Sequence, residues 1–349
     1  MSGPHTAIWP ALAAAALFGA STPLVKLLVG ELPPLLLAGL LYLGSGLGLA
    51  AIRLVRDRGW KPSGLARTEW CWLAGAIVFG GMLGPALLVF GLTRTDAGPA
   101  SLMLNLEAVF TALLAWIVFR ENADRRIVLG MLLIVAGGAL LAWPAAGPAA
   151  TDGVGLLAIA AACLCWAIDN NLTRRVSGSD ALFIAGAKGW TAGMVNTGLG
   201  LLIGASLPAP ATAGAAMMIG LGGYGLSLVC FVHALRNLGT ARTGAYFSTA
   251  PFIGAAVAIL LLGESPSAAF WAAAGLMGVG VWLHLTERHE HLHPHEALEH
   301  VHPHVHDAHH QHAHDFEWDG REPHSHFHWH KPLTHKHPHF PDIHHRHGH

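Results

Sequence analysis

Ten runs of about twenty mostly apolar residues follow one another through the first 286 positions of this chain, and that pattern restricts the fold more than any single motif. A hydrocarbon layer about 30 Å thick is crossed by about 20 apolar residues in helical form. The segments near 7–29, 33–54, 69–92, 98–119, 127–146, 154–173, 181–204, 214–235, 243–262 and 267–285 meet that requirement. Short stretches rich in Gly, Pro, Asp or Arg separate them. Inside a bilayer each backbone N–H and C=O needs a partner within the protein, so the sequence predicts an all-α membrane protein of ten transmembrane helices. Small residues recur within the spans, such as Gly80, Gly81 and Gly84 in the third and Gly220, Gly222, Gly223 and Gly225 in the eighth. They allow close helix packing.

Charge fixes the expected orientation. Loops 2–3 (Arg53, Arg56, Arg58, Lys61, Arg67), 4–5 (Arg120, Arg125, Arg126), 6–7 (Arg174, Arg175) and 8–9 (Arg236, Arg242) carry the basic residues, while the opposite side has Lys26 and Arg94. By the positive-inside rule both termini are cytoplasmic and the protein is integral to an inner or plasma membrane. The first basic residue is Lys26, so the charged start of a cleavable signal peptide is missing and the first segment is expected to remain as a span. Cys71, Cys163, Cys165 and Cys230 all fall in apolar segments and form no CxxC pair, so no disulfide framework is implied. No P-loop and no nucleophile–base constellation occurs, which argues against an enzyme and against ATP-driven transport by this chain alone. A nucleic-acid partner is not expected.

The spans repeat as a set of five. Residues 97–121 align with 240–264 at an offset of 143, with Ala112/Ala255, Ala115/Ala258 and Glu121/Glu264 in common, and at an offset of 148 Phe18 to Lys26 aligns with Trp166 to Arg174. An odd number of spans per repeat turns the second copy upside down. Inverted repeats are a signature of secondary transporters whose sites lie near mid-membrane between the halves. The stretch from Leu104 to Glu121, LNLEAVFTALLAWIVFRE, resembles the fourth-helix signature of EamA-type carriers in the drug/metabolite transporter superfamily. Residues 250–264, APFIGAAVAILLLGE, are similar to the same signature on the ninth helix. Ala108 and Arg120 stand where the second copy has Pro251 and Gly263. The resemblance covers about residues 7–286 and implies a small-molecule carrier, often an exporter of metabolites. The expected organisation is a first repeat over 1–147, a second, inverted repeat over 148–286, and a tail over 287–349.

Polar residues at bilayer depth are costly and mark candidate sites. Glu107 lies mid-span beside Asn105; Lys188 lies in the seventh span with Asn196 two turns on; Asp169, Asn170 and Asn171 crowd the sixth. These seven are the predicted substrate pathway. Glu107 is read either as a proton-coupling or substrate-binding carboxylate or as the ion-pair partner of Lys188. Lys188 is also a candidate for binding an anionic substrate, and Asp169 is read as lining the pathway or pairing with Arg174 or Arg175. Lys26 and Arg174 occupy matched places in the two repeats and are expected to be gate charges or snorkelling anchors. Glu121 and Glu264, at helix ends, are expected to cap or fix loops. His233 and His284 are read as core histidines.

The tail differs in kind. It holds 23 of the 26 histidines and carries a net charge of −5 against +4 for the rest. It is also written twice: a shift of 35 residues carries His289, His291, His293, His295, His300, His302, His304, His309, His310, His312 and His314 onto His324, His326, His328, His330, His335, His337, His339, His344, His345, His347 and His349. Leu298/Leu333, Pro303/Pro338 and Asp307/Asp342 repeat as well, and only His306 lacks a counterpart. Imidazole is a good ligand for Ni, Co, Zn and Cu, and alternating H-x-H spacing in an extended chain places ligands at a period of two. The two units, 289–314 and 324–349, are expected to bind such ions, and without metal the tail is expected to lack regular structure for want of an apolar core. No cofactor is required by the membrane part. The expected function is secondary transport, by an exporter, of a small metabolite, a transition metal or a metal chelate across the lipid bilayer, with a homodimer as a candidate assembly and the tail buffering metal, sensing metal or sensing pH. The competing reading is a membrane-anchored metal store or sensor without transport. Glu107 and Lys188 inside the membrane weigh against it, since an anchor has no use for them.

Overall fold

The computed structural model describes residues 4–119, 125–143, 153–286, 290–295, 298–304, 324–330 and 333–338. The apolar region is helical throughout: α1 (Pro4–Leu28), α2 (Pro34–Asp57), α3 (Glu69–Ala76), α4 (Gly84–Leu92), α5 (Ala97–Met103), α6 (Leu106–Phe119), α7 (Arg125–Ala142), α8 (Gly153–Val176), α9 (Ala181–Leu202), α10 (Pro210–Gly220), α11 (Ser227–Phe247), α12 (Ala250–Leu262) and α13 (Ala268–Leu285). Among the described residues nine helical segments are both long and apolar enough to cross a bilayer. The tenth expected span, α9, has 22 residues and is long enough; Lys188, Asn196 and its glycines make it less apolar than the others. It packs along α2, where a Cβ on Gly46 would meet the backbone of Trp190 and one on Gly189 the backbone of Gly46. α1 lies against α11 and α12, α4 against α8, and α7 against α13, so one apolar core runs through both halves of the sequence.

Two irregularities occur at matched places in the two halves. α3 and α4 are joined without a break by a π-helical stretch, Ile77–Leu83, and α10 and α11 by another, Leu221–Leu226. Each widens the helix where glycines cluster, Gly80 and Gly81 in one and Gly222, Gly223 and Gly225 in the other. The fourth span is interrupted between Met103 and Leu106, and the ninth between Phe247 and Ala250. Pro251 accounts for the second break, because a proline in the first turn of α12 cannot continue a preceding helix. The first copy has Ala108 instead and breaks all the same. Its device is a side chain: Asn105 Nδ2 donates to Leu102 O at 3.0 Å, and in the second copy Thr249 Oγ1 donates to Tyr246 O at 2.7 Å. A polar side chain that takes the carbonyl three residues back competes with the regular helical bond.

Two local expectations are corrected. The eighth and ninth spans are not parted by an irregular loop around Arg236 and Arg242, because α11 runs through to Phe247. The tail, expected to lack regular structure, contains four strands: β1 (Glu290–His295), β2 (Leu298–His304), β3 (His324–His330) and β4 (Leu333–Pro338). β1 pairs with β4 and β2 with β3, both antiparallel. H-x-H alternation suits an extended backbone as well as it suits metal, and pairing satisfies the N–H and C=O groups that a lone extended segment leaves to water. These strands form a unit separate from the helical one.

Candidate membrane-embedded site

α8 carries Asp169, Asn170, Asn171 and Thr173 within two turns of one another. Lys188 Nζ on α9 donates to both carboxylate oxygens of Asp169, at 2.7 and 2.6 Å, and Thr173 Oγ1 donates to Asp169 Oδ1 at 2.9 Å. Lys188 is 1% exposed and Asp169 5%. Neither the expected Glu107–Lys188 pair nor the Asp169–Arg174/Arg175 pair is formed. The reason is geometric: the approach of α9 to the π-helical stretch and α8 sets Lys188 against Asp169, which is far too buried to reach headgroups. The fit is tight, since Asp169 occupies the place that a Cβ on Gly80 would take.

Glu107 finds a neutral partner instead. Asn170 Nδ2 donates to Glu107 Oε1 at 2.7 Å, and both residues are only partly buried. With Lys188 tied to Asp169, Glu107 is a carboxylate with no basic side chain within bonding distance among the described residues. The other predicted pathway residues divide. Asn196 Nδ2 donates to Met82 O at 3.1 Å, a carbonyl of the first π-helical stretch. Asn171 binds the carbonyl of Ala167 on its own helix at 2.9 Å. Asn105 lies toward α13, its Nδ2 3.8 Å from Met277 Sδ; its Oδ1 is buried and has no hydrogen-bond partner among the described residues.

Aromatic side chains gather beside these groups, and the sequence did not single them out. Phe18 packs against Trp166, Tyr224 and Phe247 with ring centroids 5.6, 5.9 and 5.3 Å away, and Tyr42 packs against Tyr224 at 5.4 Å. Tyr42 O–H and Trp166 Nε1–H both donate to Gly80 O, at 2.8 and 3.1 Å. A π-helical stretch leaves carbonyls off the regular ladder, and here side chains take them. Trp166 is one turn from Asn170 and Asp169 on α8, so rings and carboxylates share one region. A signal was present: the chain has 3 tyrosines, and Tyr42 and Tyr224 lie mid-span rather than in the interfacial belt that tyrosines usually occupy.

The helix ends are tied down on both sides. At one end Lys26 Nζ donates to Leu92 O and Thr95 O, each at 2.7 Å, and Glu264 accepts from the N–H groups of Ala97 and Gly98 at 2.7 and 2.8 Å, capping α5. At the other end Arg53 and Arg56 hold Asp180, the N-cap of α9, with contacts of 2.9 and 2.7 Å. Arg56, and after it Arg53, keeps the Asp180 carboxyl down at about 2. Arg236 donates to Ser177 O and Ser179 O at the same end. Arg174 lies in the last turn of α8. His284 Nε2 lies 3.1 Å from Ile127 O, as a satisfied core histidine would. Glu121 and tail residues His289, His309, His310, His312, His314, His339, His344, His345, His347 and His349 lie outside the described residues.

Comparison with known proteins agrees with this architecture. The EamA-like transporter family matches residues 5–143 and, a second time, residues 153–286. An "Uncharacterized transporter" of Methanothermobacter thermautotrophicus is 26% identical over 281 residues, 76% of this chain and 82% of that protein. The "Probable 4-amino-4-deoxy-L-arabinose-phosphoundecaprenol flippase subunit ArnE" of Pseudomonas paraeruginosa is 42% identical over 110 residues, 32% of this chain and 91% of that protein. A solved structure titled "Crystal structure of protein" covers 80% of this chain and 95% of its own at a TM-score of 0.59 and 20% identity, which shows a shared fold.

Proposed function

We propose that this chain, which belongs to the EamA-like transporter family, is a secondary carrier whose cargo is a small organic solute bearing an amine or other cationic group. It is integral to the membrane and moves a small molecule, as its family does; the cationic cargo is the finer reading. The observation that carries it is the pairing of charges: Lys188 is neutralised by Asp169, while Glu107 keeps only a neutral amide partner, Asn170, which lies one turn from Trp166 on α8. A carboxylate next to aromatic faces attracts a cation through charge and ring quadrupole together. The ArnE relative, named for an amino-sugar lipid, accords with an amine in the cargo. In this reading Glu107 exchanges a proton for the cargo cation, and the Asp169–Lys188 pair positions α8 and α9 around it. The two copies are inverted with respect to each other, the basic end of the bundle is cytoplasmic, and transport is outward.

Transport of a metal or metal chelate is the second reading, favoured by the histidine tail. Among the described residues no three His, Cys, Asp or Glu side chains gather as a metal site. The tail is assigned, on its histidine-rich repeated sequence alone, to binding Ni, Co, Zn or Cu on the cytoplasmic side as a buffer or sensor. The test is flux in proteoliposomes of full-length protein under an imposed proton gradient, with a panel of radiolabelled amines and with Zn, Co and Ni. Amine-driven proton movement that Glu107→Gln abolishes supports the first reading; metal flux that survives truncation after Glu287 supports the second. Full activity of the Glu107→Gln protein removes Glu107 from the site.

A further inference from the structure

The segment from Leu92 to Gly98, which joins the third span to the fourth, is gripped from two sides. From α1, Lys26 Nζ donates to the carbonyls of Leu92 and Thr95, each at 2.7 Å. From just after α12, Glu264 accepts from the N–H groups of Ala97 and Gly98 at 2.7 and 2.8 Å. Both charges are thus spent on backbone groups. One takes carbonyls at and just past the end of α4, and the other takes N–H groups that begin α5 and have no partner within that helix. The Glu264 grip joins the two copies of the repeat. It also needs Gly98, since a Cβ there would lie 2.7 Å from Glu264 Oε2.

The matching place in the second copy is built differently. At the offset of 143, residues 92–98 correspond to 235–241, and these lie inside α11, which is helical from Ser227 to Phe247. Their N–H and C=O groups are satisfied along the helix, so the basic end presents no such loop to grip. The charged ties at that end fasten other elements. Arg53 and Arg56 hold Asp180, the N-cap of α9, to α2. Those two helices are already packed against each other's backbone at Gly39, Gly46 and Gly193. Arg236 fastens α11 to the turn before α9, within the second copy.

Three buried hydroxyls near the gripped segment have no hydrogen-bond partner among the described residues. They are Thr95 Oγ1 within it, Thr22 Oγ1 one turn before Lys26 on α1, and Ser101 Oγ one turn after Ala97 on α5. Their residues are 4, 0 and 1% exposed. Ser101 faces α12, because a Cβ on Gly254 would stand 2.7 Å from its Oγ. An unsatisfied buried hydroxyl calls for a reason, and hydration in a second state of the protein supplies one. Surfaces that are dry while α5 lies against α1 and α12, and wet when these part, carry such groups. We infer that Lys26 and Glu264 are gate residues: they hold the 92–98 segment and shut the less basic end of the carrier, and their release opens that end during transport. With the two copies inverted, as proposed, a grip at one end and a continuous helix at the other is the asymmetry of a carrier closed on one side. The gate goes beyond the cargo proposed above and does not depend on it.

The test labels a reporter cysteine in the full-length protein with a membrane-impermeant thiol reagent, in intact cells and in inside-out vesicles, which expose opposite sides. In a background free of the native cysteines, Ser101→Cys places the reporter between α5 and α12, and Thr22→Cys places a second one on α1. Each reporter is combined with Lys26→Met, with Glu264→Ala and with Gly98→Ala. The last keeps both charges while its methyl crowds Glu264. Each of the three should speed labelling about tenfold, the effect of about 1.4 kcal/mol on the closed–open equilibrium. The gain should come from one side of the membrane only, the side opposite Arg53 and Arg56. A lower melting temperature with labelling unchanged would leave helix capping and anchoring as the whole role of these residues and overturn the gate. Labelling raised equally from both sides would overturn it too, as general loosening of the bundle. Labelling needs no cargo, so failure of the gate and failure of the amine reading are told apart.

Discussion

The buried pair of Lys188 and Asp169 gives the sharpest prediction, because its role as scaffold or as binding site is decided by two kinds of variant. Lys188→Met leaves Asp169, 5% exposed, with Thr173 as its remaining side-chain partner at 2.9 Å. Removing one member of a buried ion pair typically costs about 3–5 kcal/mol. At about 2 °C per kcal/mol, the low end of the usual range and the one suiting a chain of this length, the apparent melting temperature should fall by about 6–10 °C. Asp169→Asn should cost nearly as much by stranding the lysine. The double variant Lys188→Met/Asp169→Asn removes both charges without adding bulk beside Gly80, so it should recover most of the loss. The assay is thermal unfolding in detergent at a fixed scan rate, with proteoliposome flux measured on the same preparations. An intramembrane hydrogen bond of ordinary strength contributes only about 0.6 kcal/mol. A drop of only a degree or two in each single variant would therefore refute the ion-pair argument. A stable double variant that transports confirms a positioning role; a stable double variant without flux would return Lys188 to the binding site.

Other consequences are checked more briefly. Glu107→Gln should abolish gradient-driven flux while leaving the melting temperature near that of the parent, since an amide can still meet Asn170; intact flux would count against it. Glu264→Ala frees the N–H groups of Ala97 and Gly98 and should destabilise by about 1–2 kcal/mol, read as a lower melting temperature. Because Asp180 is held at about 2, below its ordinary value, its contribution is complete above about pH 4 and is lost as pH falls toward 2. The parent should lose stability through that window relative to Asp180→Asn, and parallel pH profiles for the two proteins would contradict this. Tyr42→Phe removes one of two donors to Gly80 O and should lower stability by about 0.5–1.5 kcal/mol, read as a lower melting temperature.

What the sequence disclosed depended on whether a property was local. A charged or amide side chain within an apolar run stands out wherever its helix packs, so Glu107, Lys188 and Asp169 were legible as polar residues at depth. Their partners were not, because the contact of Lys188 with Asp169 depends on how α8, α9 and the π-helical stretch lie together, and Glu107 was an equally reasonable choice. Glycines 80 and 81 were read as close-packing residues, whereas the widening of the helix around them frees the carbonyl of Gly80, a backbone state that residue type does not encode. The continuity of α11 past Arg236 was obscured by Arg236, Gly239 and Arg242, which resemble a loop when only hydropathy is read. In the tail the alternation implied an extended chain, but its register arises between segments twenty or more positions apart and could not be read from either.

The matched irregularities of the two halves bear on how the carrier works. Each half interrupts its fourth or ninth span at a polar residue that hooks back three positions, Asn105 in one and Thr249 in the other, and each widens its third or eighth span over a glycine cluster. The duplicated part is thus the backbone framework, with paired weak points at which helices can bend. The chemistry is not duplicated: Glu107 follows the first break, and Pro251 and Phe252 follow the second. If Glu107 binds cargo as proposed, a backbone framework repeated in the two halves suits alternation between two similar open states, since the same group must then serve cargo from either side. Introducing a second carboxylate after the second break, as Phe252→Glu, tests this. If the framework is equivalent in the two halves and the carboxylate alone defines the site, Phe252→Glu in the Glu107→Gln background should restore measurable gradient-driven flux. A folded double variant without flux would show that the two breaks are equivalent in backbone only.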